Sequence, residues 1–289
     1  MGESLITWEA AVQSLRERPD QQELVRACYY DEPVVEAVRR YASSEEWLAV
    51  VDIIGPWIPG RALDIGAGNG ISSYAFAKAG CTVDALEPDP SDTVGAGAIR
   101  SLAAAENLPI TVSEAFGEKL PYESDAFDIV YGRQVLHHAH DLDQLCREAA
   151  RVLRPGGIFI ATREHVLSRP EDKEIFLNNH PLHRLYGGEN AFLLAEYRAA
   201  ITGAGLVVEK TLGSHDSPIN YFPLTRAQRR ERYLAHLGKI IGRPLANAIG
   251  GPGTIDLIGR IRSWRDHVPG RLNSFVAIKP RAAKQEAGR

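Results

Sequence analysis

The chain has 289 residues, a formal net charge of −4, 44% apolar residues and 24% charged residues. That length suits one large α/β domain with additions or two small domains, and the composition is ordinary for a soluble globular protein. No apolar run approaches the about 20 residues of a spanning helix, and the negative balance argues against electrostatic binding of nucleic acid by the whole protein.

Three cysteines, Cys28, Cys81 and Cys146, form no C-x-x-C pair. They read as thiols in a reducing cytoplasm, not as a disulfide frame or zinc site. The start, Met1-Gly2-Glu3-Ser4-Leu5-Ile6, carries no basic-then-apolar signal pattern and lacks the Ser or Thr that a myristoylation site wants at position 6.

Residues 1–59 read as a helical cap. Trp8, Val12 and Leu15 share a helical face, and Pro19-Asp20 ends that segment. Pro33 suits the first turn of a later helix. Ser43-Ser44-Glu45-Glu46 resembles a helix start, followed by Trp47, Val50, Val51 and Ile54 on one face.

Residues 60–212 read as a strand–helix repeat. Ala62 to Ile65 is a buried-looking strand, Gly66-Ala67-Gly68-Asn69-Gly70 a tight loop, and Ser72 to Ala79 a helix. Glycines let the backbone turn sharply and approach a ligand, and the helix N-terminus presents unpaired N–H groups to it. The spacing is G-x-G-x-G, because Ile71 stands where the dinucleotide fingerprint has its third glycine. Cys81 to Glu87 is a second strand, and Glu87 at its end suits ribose hydroxyls. Further strands follow at 110–112, 127–131 and 158–162, with a turn at Arg154-Pro155-Gly156-Gly157. His137 and His138 are expected at the start of the helix after the fourth strand. Such alternation implies a doubly wound sheet with ligands over the carboxyl ends of its strands.

Beyond the fifth strand the pattern changes. Asn179 to Asn190 is polar, aromatic and Gly-rich. A helix at 191–204 and a sixth strand at 206–212 follow. Residues 213–269 read as a helical insertion, 270–281 as the last strand of the core, and 282–289 as a frayed tail. Between Arg226 and Arg271 ten Lys/Arg face three Asp/Glu, a local +7 that leaves −11 elsewhere. That excess suits either solvated helix faces or an anionic partner.

These pieces together resemble the class I, Rossmann-like, S-adenosylmethionine-dependent methyltransferases. The carrying motifs are Leu63-Asp64-Ile65-Gly66-Ala67-Gly68-Asn69-Gly70, Leu86-Glu87-Pro88-Asp89, Leu120-Pro121-Tyr122 before Phe127-Asp128, Val135-Leu136-His137-His138, and Leu153-Arg154-Pro155-Gly156-Gly157. The resemblance implies a sheet of about seven strands with the last antiparallel. It implies that Gly66, Gly68 and Gly70 line the methionine end of S-adenosyl-L-methionine, that Glu87 holds the ribose, and that Phe116, Gly117 and Glu118 flank the adenine. Asp64, Ala67, Pro88, Gly132, Arg133 and His137 complete the implied cofactor set. Phe116 departs from the Asp often found there, which leaves adenine recognition to backbone groups or Glu118.

The chemistry expected is in-line methyl transfer to a small-molecule or saccharide-type acceptor, by O- or N-methylation. A base is needed only for a hydroxyl or protonated amine, and histidine suits that work near neutral pH. His165 and His183 are the candidate bases. Tyr30, Arg163, Glu164, His180, Arg184, Tyr186 and Asn190 are the candidate acceptor wall. No metal-ligand cluster shows usable spacing along the chain, since His137-His138-x-His140 points its side chains in different directions. Two alternatives stand beside this reading: a nicotinamide-dependent oxidoreductase, and a non-catalytic module that binds adenosylmethionine and regulates a partner. The acceptor atom and the oligomeric state are not legible here.

Overall fold

The computed structural model describes residues 5–281. The tail at 282–289 and Gly2 of the myristoylation motif lie outside the described residues. The cap comprises α1 (Trp8–Glu17), α2 (Gln22–Ala27), α3 (Val34–Ala42) and α4 (Glu45–Ile54). Two of its four helix starts, those of α1 and α4, are capped by short oxygen side chains. Thr7 accepts the Ala10 N–H, and Ser44 accepts the Trp47 N–H at 3.1 Å. Pro33 sits at the N-cap of α3 rather than inside its first turn, with extended backbone.

The core then alternates: β1 (Arg61–Ile65), α5 (Ile71–Lys78), β2 (Thr82–Leu86), α6 (Ala96–Glu106), β3 (Ile110–Ser113), β4 (Phe127–Arg133), α7 (Leu142–Val152) and β5 (Leu153–Leu167). After it come α8 (Asp172–Asn179), α9 (His183–Tyr186), β6 (Phe192–Leu193), α10 (Leu194–Gly203) and β7 (Val207–Leu212). Four helices, α11 (Pro218–Tyr221), α12 (Arg226–Ile241), α13 (Arg243–Ile249) and α14 (Pro252–Arg265), separate β7 from β8 (Arg271–Ile278).

One eight-stranded sheet runs β3-β2-β1-β4-β5-β8-β7, with the two-residue β6 pairing off β5. The strands from β3 to β5 are parallel, and β8 is antiparallel to both β5 and β7. Strand alternation divides the core into two layers. Leu63, Ile65, Val130 and Phe159 face α7 and α10, while Ala62, Ile129, Tyr131 and Ile160 face the cap helices and α5. A parallel sheet covered on both faces needs strands apolar on both sides, which β4 and β5 supply.

Three local expectations are corrected. Residues 154–157 are not a free turn. They lie inside the long β5, where its register with β4 slips between the pairs Phe127–Leu153 and Ile129–Ile158. The fifth strand does not stop at Thr162. It bulges between Ala161 and Glu164 and continues to Leu167, because β8 supplies partners for the extension. His137 and His138 close a one-turn 3₁₀ segment, Leu136–His138, and α7 starts later, where Asp141 caps it.

The cap is bolted to the sheet by a buried ion pair. The Arg133 guanidinium at the end of β4 donates to both oxygens of Glu46 in α4, at 2.7 and 3.2 Å. Glu46 is fully buried. Removing one partner strands the other charge in a dry interior. Glu46→Ala is therefore expected to destabilise the fold by about 3–5 kcal/mol in urea unfolding. A loss under about 1 kcal/mol would show that the pair is not what holds the cap.

Candidate functional site

Three backbone turns shape the loop after β1. Gly66 (φ +60°), Gly68 (φ +56°) and Gly70 (φ +87°) are all left-handed, the region that side chains avoid. A Cβ on Gly66 would strike Val135, whereas one on Gly68 would meet nothing within 4 Å. Gly68 therefore borders open space that a ligand can enter. Asn69 donates to the Tyr29 carbonyl at 2.8 Å and ties this loop to the cap. Glu87, at the end of β2, accepts the Gly68 N–H at 2.8 Å and the Asp89 N–H at 2.9 Å. Each of its oxygens keeps a lone pair for a hydroxyl. Burial pushes its carboxyl up to about 7, against the pull of those two backbone bonds.

The loop opens on a cavity of about 790 Å³. That lies within the range of small-molecule sites, about 300–1,000 Å³. One part of its wall is the Gly-rich loop, Glu87 to Asp89, Ala115 to Glu118, and the β4 end from Arg133 to His140. Another part is the underside of the cap and of the α8–α9 segment. There Trp8 meets Tyr186 at 4.8 Å and Tyr30 at 5.7 Å between ring centres. Leu24, Ala27, Leu182, Pro223 and Leu272 add apolar surface.

A compact polar group is set into this wall. Glu164 is fully buried and accepts the backbone N–H groups of Val135 and His137, both at 3.1 Å. It also accepts His137 Nδ1–H at 2.7 Å. The opposite nitrogen, Nε2, lies 3.6 Å from Glu189 Oε2. Burial alone would lower the His137 pKa, but its bonds to Glu164 and Glu189 outweigh that and raise it. Burial would raise Glu189, and its contact with His137 holds it well below the usual carboxylate range instead. His165 donates Nδ1–H to the Gly270 carbonyl at 2.8 Å, and burial, then the charge of His137, lowers it to about 3. His138 falls to about 4 for the same two reasons. His180 is lowered by burial, and its Nδ1 has no partner.

Of the expected cofactor set, Gly66, Ala67, Gly68, Glu87, Pro88, Phe116, Gly117, Glu118, Arg133 and His137 line the cavity. Asp64, Gly70 and Gly132 do not. Asp64 is turned away and accepts from the Ser72 and Ser73 hydroxyls at 2.7 and 2.6 Å, so it braces the loop from beneath. Gly70 is the N-cap of α5, and Gly132 lies in β4 behind Ile65 and Val135. Of the expected acceptor wall, Tyr30, Arg163, His165, His180 and Tyr186 line the cavity. Four residues are corrected. Glu164 is spent on the loop after β4. His183 lies off the cavity, with its Nδ1 buried and unpartnered. Arg184 donates to the Asn178 carbonyl at 3.0 Å, and Asn190 accepts the Ala191 N–H at 2.8 Å. None of the ten basic residues between Arg226 and Arg271 lines the cavity. Arg229 is itself buried over Tyr221 and Tyr233.

The residue that sequence reasoning left unassigned is Glu189. It stood beside Asn190 in a polar loop, and its contacts with His137 and the Tyr186 hydroxyl distinguish it. Trp8, read only as part of a helical face, Asn69, read only as part of the Gly-rich loop, and Cys28 also reach the site.

Residues 63–161 match a family model described as a methyltransferase domain. Over 133 residues the chain is 35% identical to a sarcosine/dimethylglycine N-methyltransferase of Halorhodospira halochloris, covering 46% of each chain. Over 103 residues it is 36% identical to a ubiquinone biosynthesis O-methyltransferase of Rhizobium etli, covering 35% of this chain and 40% of that one. The matched stretch thus spans less than half the length of these curated relatives. A solved geranyl diphosphate methyltransferase in complex with SAM shares the fold at TM-score 0.58, with 18% identity over 95% of this chain and 96% of that one. The resemblance read from the motifs is borne out over residues 63–161, which match the methyltransferase-domain model, and the Rossmann-like fold is shared with the solved structure. No helix among the described residues is long and apolar enough to cross a membrane.

Glu87 generates a pH prediction. Its ionised form accepts hydroxyl bonds best, and the free protein loses that form as pH falls through about 7. Adenosylmethionine affinity is expected to be level above that value and to fall by up to about tenfold per unit below it. Glu87→Gln is expected to abolish the slope, and Glu87→Ala to cost about 1.5–3 kcal/mol of binding. Calorimetry across about pH 5–9 checks all three. An unchanged slope in Glu87→Gln would assign it to another group.

Proposed function

We propose that this chain, with a methyltransferase domain at its core, is an S-adenosyl-L-methionine-dependent methyltransferase whose acceptor is a small molecule with an apolar body and one O–H or N–H handle. The observation that carries the reading is the shared cavity. The Gly-rich loop and Glu87 border it together with the polar group of His165, His180 and Glu189.

The residues present fit the cofactor. Gly68 borders free space, Glu87 retains lone pairs for ribose hydroxyls, and Phe116, Gly117 and Glu118 line the cavity where the adenine is expected. When bound, adenosylmethionine supplies a sulfonium methyl already activated for displacement. The protein's remaining task is alignment, because holding donor and acceptor atoms about 3–3.5 Å apart and in line supplies several kcal/mol.

Alignment falls to the acceptor wall. Trp8, Tyr30, Tyr186 and Leu182 would pack the acceptor's apolar body. His165 commits Nδ1–H to Gly270, so Nε2 carries its free lone pair. Burial keeps this ring neutral throughout the working pH range. Its Nε2 can therefore accept a hydrogen bond from the acceptor's O–H or N–H and aim that atom at the methyl group, while the same burial makes the ring a weak base and its role one of positioning. Aromatic and aliphatic walls favour this kind of acceptor over a polyhydroxylated saccharide. The anionic-acceptor argument weakens too, since the basic helices stand outside the cavity.

A nicotinamide-dependent oxidoreductase would need the third fingerprint glycine that Ile71 replaces. A regulatory module without turnover would keep the cofactor half and have no use for the ordered histidines.

The test is His165→Ala. It is expected to bind adenosylmethionine like the parent, to melt within a few degrees of it, and to lose methyl transfer by about 100-fold or more. Adenosylhomocysteine release with a panel of aromatic and aliphatic alcohols and amines provides the readout. Binding of NADH without binding of adenosylmethionine would overturn the class. Equal losses of stability and turnover would make His165 structural.

A further inference from the structure

We propose that His137, His165 and Glu189 form a binding site for one divalent transition-metal ion of the zinc, cobalt or iron(II) type, set in the wall of the acceptor cavity. One ligand-capable atom from each lies within 4.8 Å of the others, and all three residues line the cavity. They come from the loop after β4, from β5, and from the loop after α9. No stretch of sequence shows them together.

The outward bonds make the case. A metal-binding histidine usually donates its second ring N–H to a carboxylate or carbonyl, which fixes tautomer and orientation. Both histidines do so here. His137 gives Nδ1–H to Glu164 at 2.7 Å, and His165 gives Nδ1–H to the Gly270 carbonyl at 2.8 Å. Each ring therefore keeps Nε2 for a ligand. The carboxylate is held in the same way, since the Tyr186 hydroxyl donates to Glu189 Oε1 at 2.8 Å and leaves Oε2 toward His137. Two imidazoles and one carboxylate are the donor set of catalytic zinc and non-haem iron sites that keep open positions.

Charge and spacing agree with an ion. Glu164 and Glu189 are both buried, and the nearby arginines are engaged elsewhere, Arg133 with Glu46 and Arg163 with the carbonyls of Ile219 and Phe222. A divalent ion would take the place of a proton on His137 Nε2 and offset the second carboxylate. Bonds of about 2.0–2.2 Å put donor atoms roughly 3–3.5 Å apart, so the 3.6 Å from His137 Nε2 to Glu189 Oε2 needs little closure, and the three ligand atoms, spread over as much as 4.8 Å, draw together on the ion by about 1 Å. His180 Nδ1, buried without a partner and 3.8 Å from Glu189 Oε1, and His138 Nε2, 4.0 Å from Glu189 Oε2, are further nitrogens beside the group. An open position facing the cavity would let the ion polarise an acceptor hydroxyl or amine. The lone pair of His165 would then serve the metal instead of the acceptor proton.

The probe is Co²⁺ added to the chelator-treated full chain, read by its visible d–d absorption and by calorimetry, so that no turnover is involved. One equivalent is expected to bind at micromolar concentration or tighter, with Zn²⁺ displacing it. His165→Ala and Glu189→Gln are each expected to weaken binding at least 100-fold while keeping adenosylmethionine affinity. X-ray absorption of the Co²⁺-loaded parent is expected to show two imidazoles, and it decides the matter should the variants misfold. Absence of stoichiometric binding, binding that both folded variants retain, or a ligand shell with fewer than two imidazoles would overturn the site. Loss of methyl transfer would leave these readouts untouched, so this inference and the proposed function fail separately.

Discussion

The carboxylate of Glu164 is the constraint on which the arrangement of the cavity depends. It is buried, and it takes three N–H bonds from the loop after β4. A buried carboxylate without such partners is very costly, so the loop and β5 are locked to one another. The lock also orients the His137 ring, which then reaches Glu189 in the roof. One side chain therefore links the sheet, the loop after β4 and the α8–α9 segment that closes the cavity. The bulge in β5 makes this geometry available. Arg163 adopts φ +61°, the register with β8 slips, and Glu164 and His165 are re-aimed where a regular strand would have continued its alternation.

The two halves of the cavity are built by different physics. The half beside the Gly-rich loop, where the proposed function seats the cofactor, is backbone work: left-handed glycines, a helix N-terminus and a carboxylate already bonded to amides of the loop. Few side chains there need to be particular, and Asp64 serves from below by bonding Ser72 and Ser73. The acceptor half is side-chain work. Trp8, Tyr30 and Tyr186 pack edge to face, and α1, α2 and the α8–α9 segment share one small apolar cluster around Ala11, Leu15, Val25 and Leu182. That cluster holds the roof together from segments far apart in the chain.

Charge is arranged to keep the interior consistent. Arg133 is answered by Glu46, and Arg163 by two main-chain carbonyls. Around a charged His137, burial keeps His138 and His165 neutral. A single protonated ring among neutral ones is what mutual repulsion in a low-dielectric pocket favours. The basic surplus of α12–α14 takes no part in this. It lies outside the cavity, and its one buried arginine, Arg229, packs on Tyr221 and Tyr233.

The sequence by itself determined the sheet and the Gly-rich border of the cavity. Gly66, Gly68 and Glu87 are legible there, with Gly70 as the start of α5, because short-range rules govern them: strand period, turn chemistry and helix start act within a few residues. The antiparallel last strand was legible from the resemblance and from an apolar run after the insertion. Tertiary structure alone decided the acceptor half. His165, at the end of the fifth strand, and His183, in the irregular segment, were both candidate bases along the chain, yet a bulge and a carbonyl from Gly270 bring the first to the cavity, and a one-turn helix carries the other away from it. Arg184 and Asn190 found nearer partners in their own loop. Glu189 had no local mark at all, because its significance is its distance to His137, a residue 52 positions earlier in the chain. Contacts of that separation depend on how the sheet, cap and roof pack together, and no periodicity in the sequence records them.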